Sequence, residues 1–547
     1  MPSWRPLSMS WPYITALIVM ALALAGLQEF LCQLSIRKTR ADKGILQFKQ
    51  PQEIDMLSYF TWKYAPIMAL VSYGVLWQIT DFEVKRLEPF YQLSKKTGAT
   101  AAESLNMDYL TFSSFFAPLK AIRYRQWAVV LSSISYLLAG SIVPVLQSAS
   151  VVMYPEKKDR REDQEKFVRI DPIFSRLLSA SLMGVALCGI VLLFQLRRRS
   201  GLLSDPKGIA GIAAMATRSH ILNDFNGLDT ADATIIHKQL RNRRYILHKS
   251  SLWQGEYIRQ NTKLEDYKVD PHPFMLTLRA GVPYIIFMLT FAIVIPVFMF
   301  VPRANTVTEK VPFLLTAIAT IIKLIWGTLD CDVRMIEPFY ILSRRHAPPR
   351  TLTLDYTGMM PGWLTIRSLL NGHYLVSLVG LGAISTEILT VCVSSFSVDG
   401  QKFFPAHGRG RPNDSNDSDE TFESFWVSFG LVIGILLFLC LVASLVYARR
   451  RHRFLPRQPG TIASVLAFIH QSKMLDDFVG TEEKDSWRMT QHLEGLRKTY
   501  ALGWFRGRDG KDHCGVDEEP VSAEYKHGVD WTKGRLQPGQ VGTWDNY

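Results

Sequence analysis

The sequence predicts an all-α integral membrane protein with about eight transmembrane helices in two tandem four-helix repeats. Three observations support this fold class. Eight apolar stretches are long enough to cross a bilayer, one motif occurs twice at an offset of 249 residues (Asp81 and Asp330), and an arginine triplet follows the fourth and the eighth stretch. The repeats are predicted to be related by a parallel pseudo-two-fold axis, with helical cytoplasmic segments between and after them.

Bulk composition alone does not separate a soluble from a membrane protein. The 547 residues are 48% hydrophobic, and the mean hydropathy is +0.06, values that soluble domains also show. These averages exclude a disordered chain, a collagen-like chain and a small disulfide scaffold. The six cysteines are scattered and show neither a disulfide framework nor a metal-binding spacing.

The apolar residues are concentrated in stretches of roughly 20 residues, the length that crosses the hydrocarbon core. A buried helix of a soluble protein could explain any one stretch, but eight together indicate a membrane protein. The first stretch lacks a small-residue cleavage site and is interpreted as a span, not a signal peptide. The spans are predicted at about 12–34, 60–80, 127–149, 173–196, 280–301, 311–329, 372–394 and 425–447.

Basic residues predict the orientation of these spans. Arg197–Arg199 and Arg449–Arg451 directly follow spans four and eight, and such clusters stay in the cytoplasm. Both termini are then cytoplasmic, and the inside segments hold 43 of the 62 Lys and Arg residues. The glycosylation sequons at Asn413 and Asn416 lie in a loop predicted to be outside, which agrees. The basic loop 35–59 disagrees with this orientation, because the alternation of the spans places it outside.

The location of the charge also predicts the partners. A net charge of +13 first suggests a polyanion, but the excess lies in segments next to spans. Membrane lipids, with anionic lipids at the cytoplasmic face, are therefore the expected partners, and nucleic acid is not. Protein partners or a homo-oligomer remain open, since Gly430 and Gly434 form a small-residue motif in span eight. The expected location is the plasma membrane or another membrane of the secretory pathway.

The chain is interpreted as a duplication. Residues 81–96 recur as 330–345 with eight of 16 positions identical, and a following Asp-Tyr pair, Asp108-Tyr109, recurs as Asp355-Tyr356. Each unit is predicted to hold two spans, a cytoplasmic segment that breaks at Pro89 in the first copy, two more spans and a helical tail. The shared core of the motif is Glu88, Pro89, Phe90 and Tyr91 in the first copy and Glu337, Pro338, Phe339 and Tyr340 in the second. The predicted units are 1–270, 271–510 and a polar, flexible tail at 511–547.

The repeated Glu-Pro-Phe-Tyr-x-Leu-Ser motif, the Asp-Tyr pair and the duplicated four-span layout resemble a known family. It is a fungal multi-pass membrane family built on repeats of domain of unknown function 3433. The resemblance covers about 62–150 and 311–395 with the spans that follow. It implies a filamentous fungal origin and a membrane setting, and it implies no reaction and no catalytic residue.

Charged residues inside the spans are candidates for function. Glu29, Lys323 and Glu387 lie within spans one, six and seven, and a Lys323–Glu387 contact is predicted. The pair could line a transport path or hold two helices together, and the packing role is favoured. Similarly, Glu88 and Glu337 could act as acids or bases, but ion pairing is favoured because both copies keep them.

No motif predicts an enzyme, a cofactor or a bound metal. The sequence contains no HExxH, no GxSxG and no complete phosphate-binding loop.

The leading interpretation is a non-enzymatic scaffold that organises lipids or proteins. The alternative is a transporter or channel with a site at the membrane midplane between two four-helix halves. A cavity lined by Glu29, Lys323 or Glu387 would favour transport, and a dry bundle would favour the scaffold.

Overall fold

The computed structural model describes residues 3–40, 44–48, 55–111, 116–154, 165–255, 272–301, 311, 313–394, 422–450, 453–527 and 531. Most of these residues are helical. The α-helices are α1 (Trp11–Thr39), α2 (Met56–Lys63), α3 (Ala65–Leu93), α4 (Ala117–Arg123), α5 (Trp127–Ser150, with a π turn at Leu138–Ile142), α6 (Pro172–Gln195), α7 (Gly208–Ala216), α8 (Ala233–Leu240), α9 (Leu278–Phe300), α10 (Leu314–Ser343), α11 (Pro361–Leu370), α12 (Tyr374–Ser394), α13 (Phe422–Arg450), α14 (Ile462–Ile469) and α15 (Ser486–Gly495).

Seven of these helices are long and apolar enough to cross a membrane: α1, α5, α6, α9, α10, α12 and α13. They coincide with seven of the eight predicted spans. The remaining span, 60–80, falls on α3, which has 29 residues but is not among the seven. Polar and aromatic side chains such as Tyr73, Gln78 and Asp81 interrupt its apolar sequence.

The predicted helix break at Pro89 is wrong. Pro89 lies inside α3, and its counterpart Pro338 lies inside α10. Proline removes one backbone hydrogen bond and usually kinks or ends a helix. Here the surrounding side chains are almost all buried, so packing from neighbouring helices holds the continuous conformation. Each motif therefore extends a membrane-length helix beyond the predicted end of its span.

The two copies pack in the same way internally and contact each other reciprocally. In the first copy α1 packs on α6, and in the second α9 packs on α13. Between the copies α3 contacts α12, and α10 contacts the last part of α5. Because α3 corresponds to α10 and α5 to α12, these contacts are equivalent under exchange of the copies. One large apolar core includes most of the first copy and both tails, and a second fills the helices of the second copy.

Three small sheets accompany the helices. The strands are β1 (Leu46–Phe48), β2 (Ala99–Thr100), β3 (Val151–Tyr154), β4 (Lys166–Ile170), β5 (Arg244–His248), β6 (Ser251–Gln254), β7 (Tyr500–Arg506), β8 (Asp512–Glu518) and β9 (Ala523–Glu524). All pairs are antiparallel, in the orders β1-β4-β3, β2-β5-β6 and β8-β7-β9.

The tails predicted to be helical are mixed. Each contains short helices followed by a hairpin, β5–β6 in the first copy and β7–β8 in the second. The segment 511–547, predicted as a flexible tail, begins with β8, which pairs along its length with β7. The second unit therefore extends past residue 510. The helical periodicity of α7 and α14 does not continue along the tails, where strands follow the short helices.

Candidate functional site

The glutamate of each repeated motif binds the middle arginine of the following triplet. Glu88 Oε2 lies 2.8 Å from Arg198 Nη2, and Glu337 forms the same ion pair with Arg450. The motif tyrosines contact the same arginines, with the guanidinium carbon 5.2 Å from the Tyr91 ring centre in the first copy and 3.3 Å from the Tyr340 ring centre in the second. A carboxylate and an aromatic face thus hold one arginine at the end of a membrane helix in each copy.

The aspartates of the motifs form separate ion pairs along their own helices. Asp81 lies 2.5 Å from Lys85, and Asp330 pairs with Arg334. Asp81 also accepts hydrogen bonds from the hydroxyls of Ser132 and Ser133 on α5, at 2.8 and 2.9 Å. Asp81 therefore joins α3 to α5, whereas the Asp330–Arg334 pair lies within α10.

The Asp-Tyr pairs fix the chain before the third helix of each copy. The Tyr109 hydroxyl donates to Gln126 Oε1 at 2.6 Å, directly before α5. The Tyr356 hydroxyl lies 2.6 Å from His373 Nδ1, directly before α12. The preceding Asp108 and Asp355 each accept a hydrogen bond from the backbone N–H two residues further along the chain. The sequence repeat thus encodes a repeated set of contacts.

The motif prolines and phenylalanines meet at the junction between the copies. Pro89, Phe90, Pro338 and Phe339 line a cavity of about 160 Å³, together with equivalent residues of α7 and α14. Its lining also includes Lys85, Arg86, Asp108, Arg334 and Asp355. Arg86 lies 3.8 Å from Asp355, while Lys85 and Arg334 pair with Asp81 and Asp330 of their own helices. The basic groups around this small cavity are therefore already paired, and it is a packing junction.

The predicted contact between Lys323 and Glu387 is present. Lys323 Nζ lies 2.7 Å from Glu387 Oε2, and the side chains are 3% and 18% exposed. Lys323 also donates a hydrogen bond of 3.2 Å to the carbonyl oxygen of Gly140. Gly140 lies in the π turn of α5, where carbonyl groups leave the regular α-helical hydrogen-bonding pattern. A lysine of the second copy therefore binds the backbone of the first.

The first copy has two glycines at the equivalent positions. Gly74 aligns with Lys323, and Gly140 aligns with Glu387. A Cβ atom on Gly74 would lie only 2.8 Å from the Cα atom of Gly140, so α3 and α5 approach closely there. The second copy replaces this close glycine contact by an ion pair, and the duplication is asymmetric at this depth.

A cavity of about 350 Å³ lies beside the ion pair. It is bounded by α3 of the first copy and by α10, α11 and α12 of the second. Most of its lining is apolar, while Gln78, Lys323, Thr386 and Glu387 contribute polar groups. At its edge lies α11, which buries Leu364 and exposes Trp363 and Ile366. The remaining lining residues are Val75, Trp326, Gly327, Met360, Pro361, Gly362, Ala383 and Ile384.

Other predicted residues are not part of this cavity. Glu29 on α1 accepts a hydrogen bond of 2.7 Å from Gln33 of its own helix and does not line the cavity. The sequons at Asn413 and Asn416 lie outside the described residues. Gly430 and Gly434 have open space where a Cβ would be placed, so their face of α13 is not packed closely within the chain.

The junction of the two tails contains functional groups that the sequence analysis did not single out. The buried guanidinium of Arg457 donates to the carbonyl oxygens of Leu228, Ala231 and Ala467 at 2.6, 2.8 and 3.1 Å. Its burial lowers the pKa to about 10, which still leaves it charged at neutral pH. Within the described residues, one group could hold a metal ion: Asp229, His470 and His513. These three lie in distant segments, so no local spacing could indicate them.

A third histidine in this region, His237, is held neutral. Partial burial lowers the pKa of His237 to about 4, and the positive charge of Lys120 acts in the same direction. Its Nε2 atom lies 3.4 Å from the Thr461 hydroxyl of the second tail. His237 is therefore an acid-sensitive contact between the tails.

Seven long apolar helices and a duplicated internal arrangement define a multi-pass helical membrane protein. A family model described as Protein of unknown function (DUF3433) matches residues 60–152 and 311–398, one stretch in each copy. The predicted resemblance to this repeat-containing family is confirmed. Neither a curated protein nor a solved structure matches the chain.

Proposed function

We propose that this is a non-enzymatic membrane protein of eight crossings that binds an amphipathic lipid in the cavity beside Lys323 and Glu387. The observation that carries the proposal is this mostly apolar cavity of about 350 Å³, placed between the two copies and containing one small polar region. Ligand sites commonly combine an apolar wall with a few polar groups that set orientation.

The edge of the cavity supports a lipid over a water-soluble ligand. Helix α11 exposes Trp363, Ile366 and Leu370 while Leu364 is buried, the pattern of a helix that lies along a membrane surface. A lipid could enter past this helix from the bilayer. Its apolar part would pack on Trp326 and Ile384, and its polar group would reach Thr386 or the ion pair.

The pairing of two loops supports eight crossings. Strand β1 follows α1 and pairs with β4, and β4 also pairs with β3, which follows α5. The ends of α1 and α5 therefore lie on the same side. The chain must cross between β1 and the start of α5, and α3 is the helix available to do so. The polar side chains of α3 are compatible with a crossing, because they face neighbouring helices and not the lipid.

In the proposed orientation, both tails and both termini are cytoplasmic, and loop 35–59 is outside with the β1-β4-β3 sheet. The basic tails then face anionic lipids, in the plasma membrane or another membrane of the secretory pathway.

Expression of an Asn413→Gln/Asn416→Gln variant in a glycosylating host tests the orientation. The wild-type chain should show a glycosidase-sensitive mobility shift that the variant lacks. The control Asn371→Gln, on the cytoplasmic side in this orientation, should keep the shift.

Lipid binding can be tested with a cavity-filling variant. Gly327 lines the cavity, and a Cβ there would meet only Gln78 Nε2, at 3.9 Å. Gly327→Leu should therefore fill the cavity without a backbone clash, and the matched control Gly430→Leu enters open space on α13. After purification in mild detergent, mass spectrometry of extracted lipids should show a bound lipid that falls about tenfold in Gly327→Leu only, as a loss of about 1.4 kcal/mol predicts. Equal lipid content in both variants would refute the proposal.

Transport is the second candidate function. It is favoured by the position of the Lys323–Glu387 pair, which joins the two halves through Gly140 and borders the cavity. Movement of one half against the other would have to break this junction. Proteoliposomes with a head-labelled lipid distinguish the candidates, because a transporter should expose inner-leaflet label to an external quencher, whereas a protein that only binds lipid should not.

A further inference from the structure

A buried cluster of two histidines and one aspartate joins the tails of the two copies. Asp229 follows a 3₁₀ turn (Ile221–Phe225) in the first tail, while His470 ends α14 and His513 lies on β8 of the second tail. Asp229 Oδ1 lies 2.8 Å from His513 Nδ1 and 3.5 Å from His470 Nε2. His470 and His513 are only 2% and 6% exposed.

Each imidazole is oriented through its other ring nitrogen. His470 Nδ1 lies 3.2 Å from the carbonyl oxygen of Ala467, which makes this nitrogen the donor. His513 Nε2 lies 2.9 Å from Asp509 Oδ1. Histidines that bind metals almost always donate their second N–H to a carbonyl or a carboxylate in this way, which fixes the tautomer and the direction of the ring.

This arrangement leaves a buried acceptor without a donor. With Nδ1 donating to Ala467, the Nε2 atom of His470 carries a lone pair, and it forms no hydrogen bond with any described residue. The nearest charged atom is a carboxylate oxygen of Asp229, which is also an acceptor. Two acceptors that face each other inside a protein are unfavourable unless a cation lies between them.

We propose that Asp229, His470 and His513 bind a divalent transition metal of the zinc type, which joins the two tails. Bonds of about 2.0–2.1 Å in a tetrahedral site place neighbouring ligand atoms about 3.3 Å apart. The 3.5 Å separation of Asp229 and His470 already matches this, and the 2.8 Å separation of Asp229 and His513 needs to open by about half an ångström. A water molecule would complete the four ligands.

Two positive groups lie close to this position and need to be considered as alternatives to the metal. His513 can take a proton and donate to both Asp229 and Asp509, and the buried Arg457 contacts the backbone of the same segment. The four hydrogen bonds of Arg457 all go to carbonyl oxygens, so the Asp229 carboxylate remains available to a metal. A proton alone is therefore the alternative occupant.

The duplication supplies a matched comparison. In the repeat alignment Asp229 corresponds to Glu482, since each lies two residues after a glycine. Arg218 corresponds to Gln471, the residue next to His470. Glu482 binds Arg218 at 2.6 Å. The reciprocal junction is therefore closed by an ordinary ion pair in the region where this one holds Asp229 and His470.

The test uses the full chain in detergent. After chelation and dialysis, titration with Zn²⁺, and with Co²⁺ as a spectroscopic probe, should show one bound ion per chain, visible Co²⁺ absorption and a higher melting temperature. His470→Ala/His513→Ala should abolish all three, and Asp509→Asn, which keeps the ligands, should weaken binding about 10–100-fold. Arg218→Ala removes the reciprocal ion pair and should leave the affinity for Zn²⁺ unchanged.

Two results would overturn the proposal. One is that the chelated wild-type chain binds neither Zn²⁺ nor Co²⁺, which leaves a proton as the only occupant of the cluster. The other is that the double histidine variant, folded by size-exclusion chromatography, keeps the wild-type affinity. If the double variant does not fold, the Asp509→Asn affinity decides, because Asp509 is partly exposed and its loss removes no ligand.

Discussion

Lys323 of the second copy donates a hydrogen bond of 3.2 Å to the carbonyl oxygen of Gly140 in the first copy. The same ammonium group binds Glu387 at 2.7 Å. One buried cation therefore joins two helices of its own copy and the π turn of the other, which makes it the point where the two halves are coupled inside the predicted membrane region.

Charge reversal tests this junction. Lys323→Glu or Glu387→Lys alone should destabilise the protein by about 3–5 kcal/mol, because each leaves a buried charge without a partner. The double reversal should recover part of this loss, but not all, since a carboxylate in place of the lysine cannot donate to the Gly140 carbonyl. Melting temperatures measured by fluorescence-detected size-exclusion chromatography provide the comparison. If the double variant is no more stable than either single variant, the two side chains do not interact.

The arginine triplets should differ in importance between the copies. Arg450 and Glu337 are 4% and 6% exposed. In the first copy Arg198 is 30% exposed, and its partner Glu88, although only 1% exposed, also accepts a hydrogen bond from Gln92. Arg450→Ala should therefore cost about 3–5 kcal/mol, the range for breaking a buried ion pair, and Arg198→Ala clearly less. Thermal unfolding of the two variants side by side measures this, with exposed Arg449→Ala as the control. A larger loss in Arg198→Ala would contradict the burial argument.

The close approach of α3 and α5 predicts a penalty for a single methyl group. Gly74→Ala would place Cβ 2.8 Å from Gly140 Cα, so a helix must shift, at a cost of about 1–3 kcal/mol. Gly430→Ala, in open space on α13, should be neutral or slightly stabilising because alanine favours helix. The melting temperatures of the two alanine variants decide; equal values would mean that the helices separate easily.

Acid should weaken the contact between the tails. The folded-state pKa of His237 is lowered to about 4, below the unfolded value of about 6.5. Its contribution is therefore present above pH 6.5 and is lost as the pH falls toward 4. His237→Gln should reduce the loss of stability between pH 7 and 5 by about 2 kcal/mol, because the unfolded histidine takes up a proton over this interval and the folded one does not. The control His248→Gln changes an exposed histidine and should follow the wild-type pH profile.

The positions of the seven membrane-length helices could be predicted from sequence, because a continuous hydrophobic length is a local property. The contact of Lys323 with Glu387 was also accessible, since few charges occur in the spans and these two have opposite sign. The role of Pro89 was not, because a single proline favours a helix end and only packing from other helices overrides it. The strands β5 to β8 were missed because their hairpins follow strongly helical segments.

The tail cluster shows why some sites leave no local signal. Asp229, His470 and His513 come from both copies, and no spacing rule relates them. The repeat alignment places Asp229 beside Glu482, and it does not reveal that His470 faces the other copy. Only the three-dimensional exchange of contacts between the tails brings these groups together.

The glycine contact in one half and the ion pair in the other have a consequence for assembly. A symmetric homodimer repeats every interface contact twice. A dimer of two first halves would have only glycines at the level of Gly74 and Gly140. A dimer of two second halves would bury two lysines and two glutamates, and neither lysine would have the Gly140 carbonyl to donate to. Neither half can replace the other at this interface, so the chain is equivalent to a covalently fused heterodimer. A substitution at this interface in one half would have to be compensated by a different substitution in the other half.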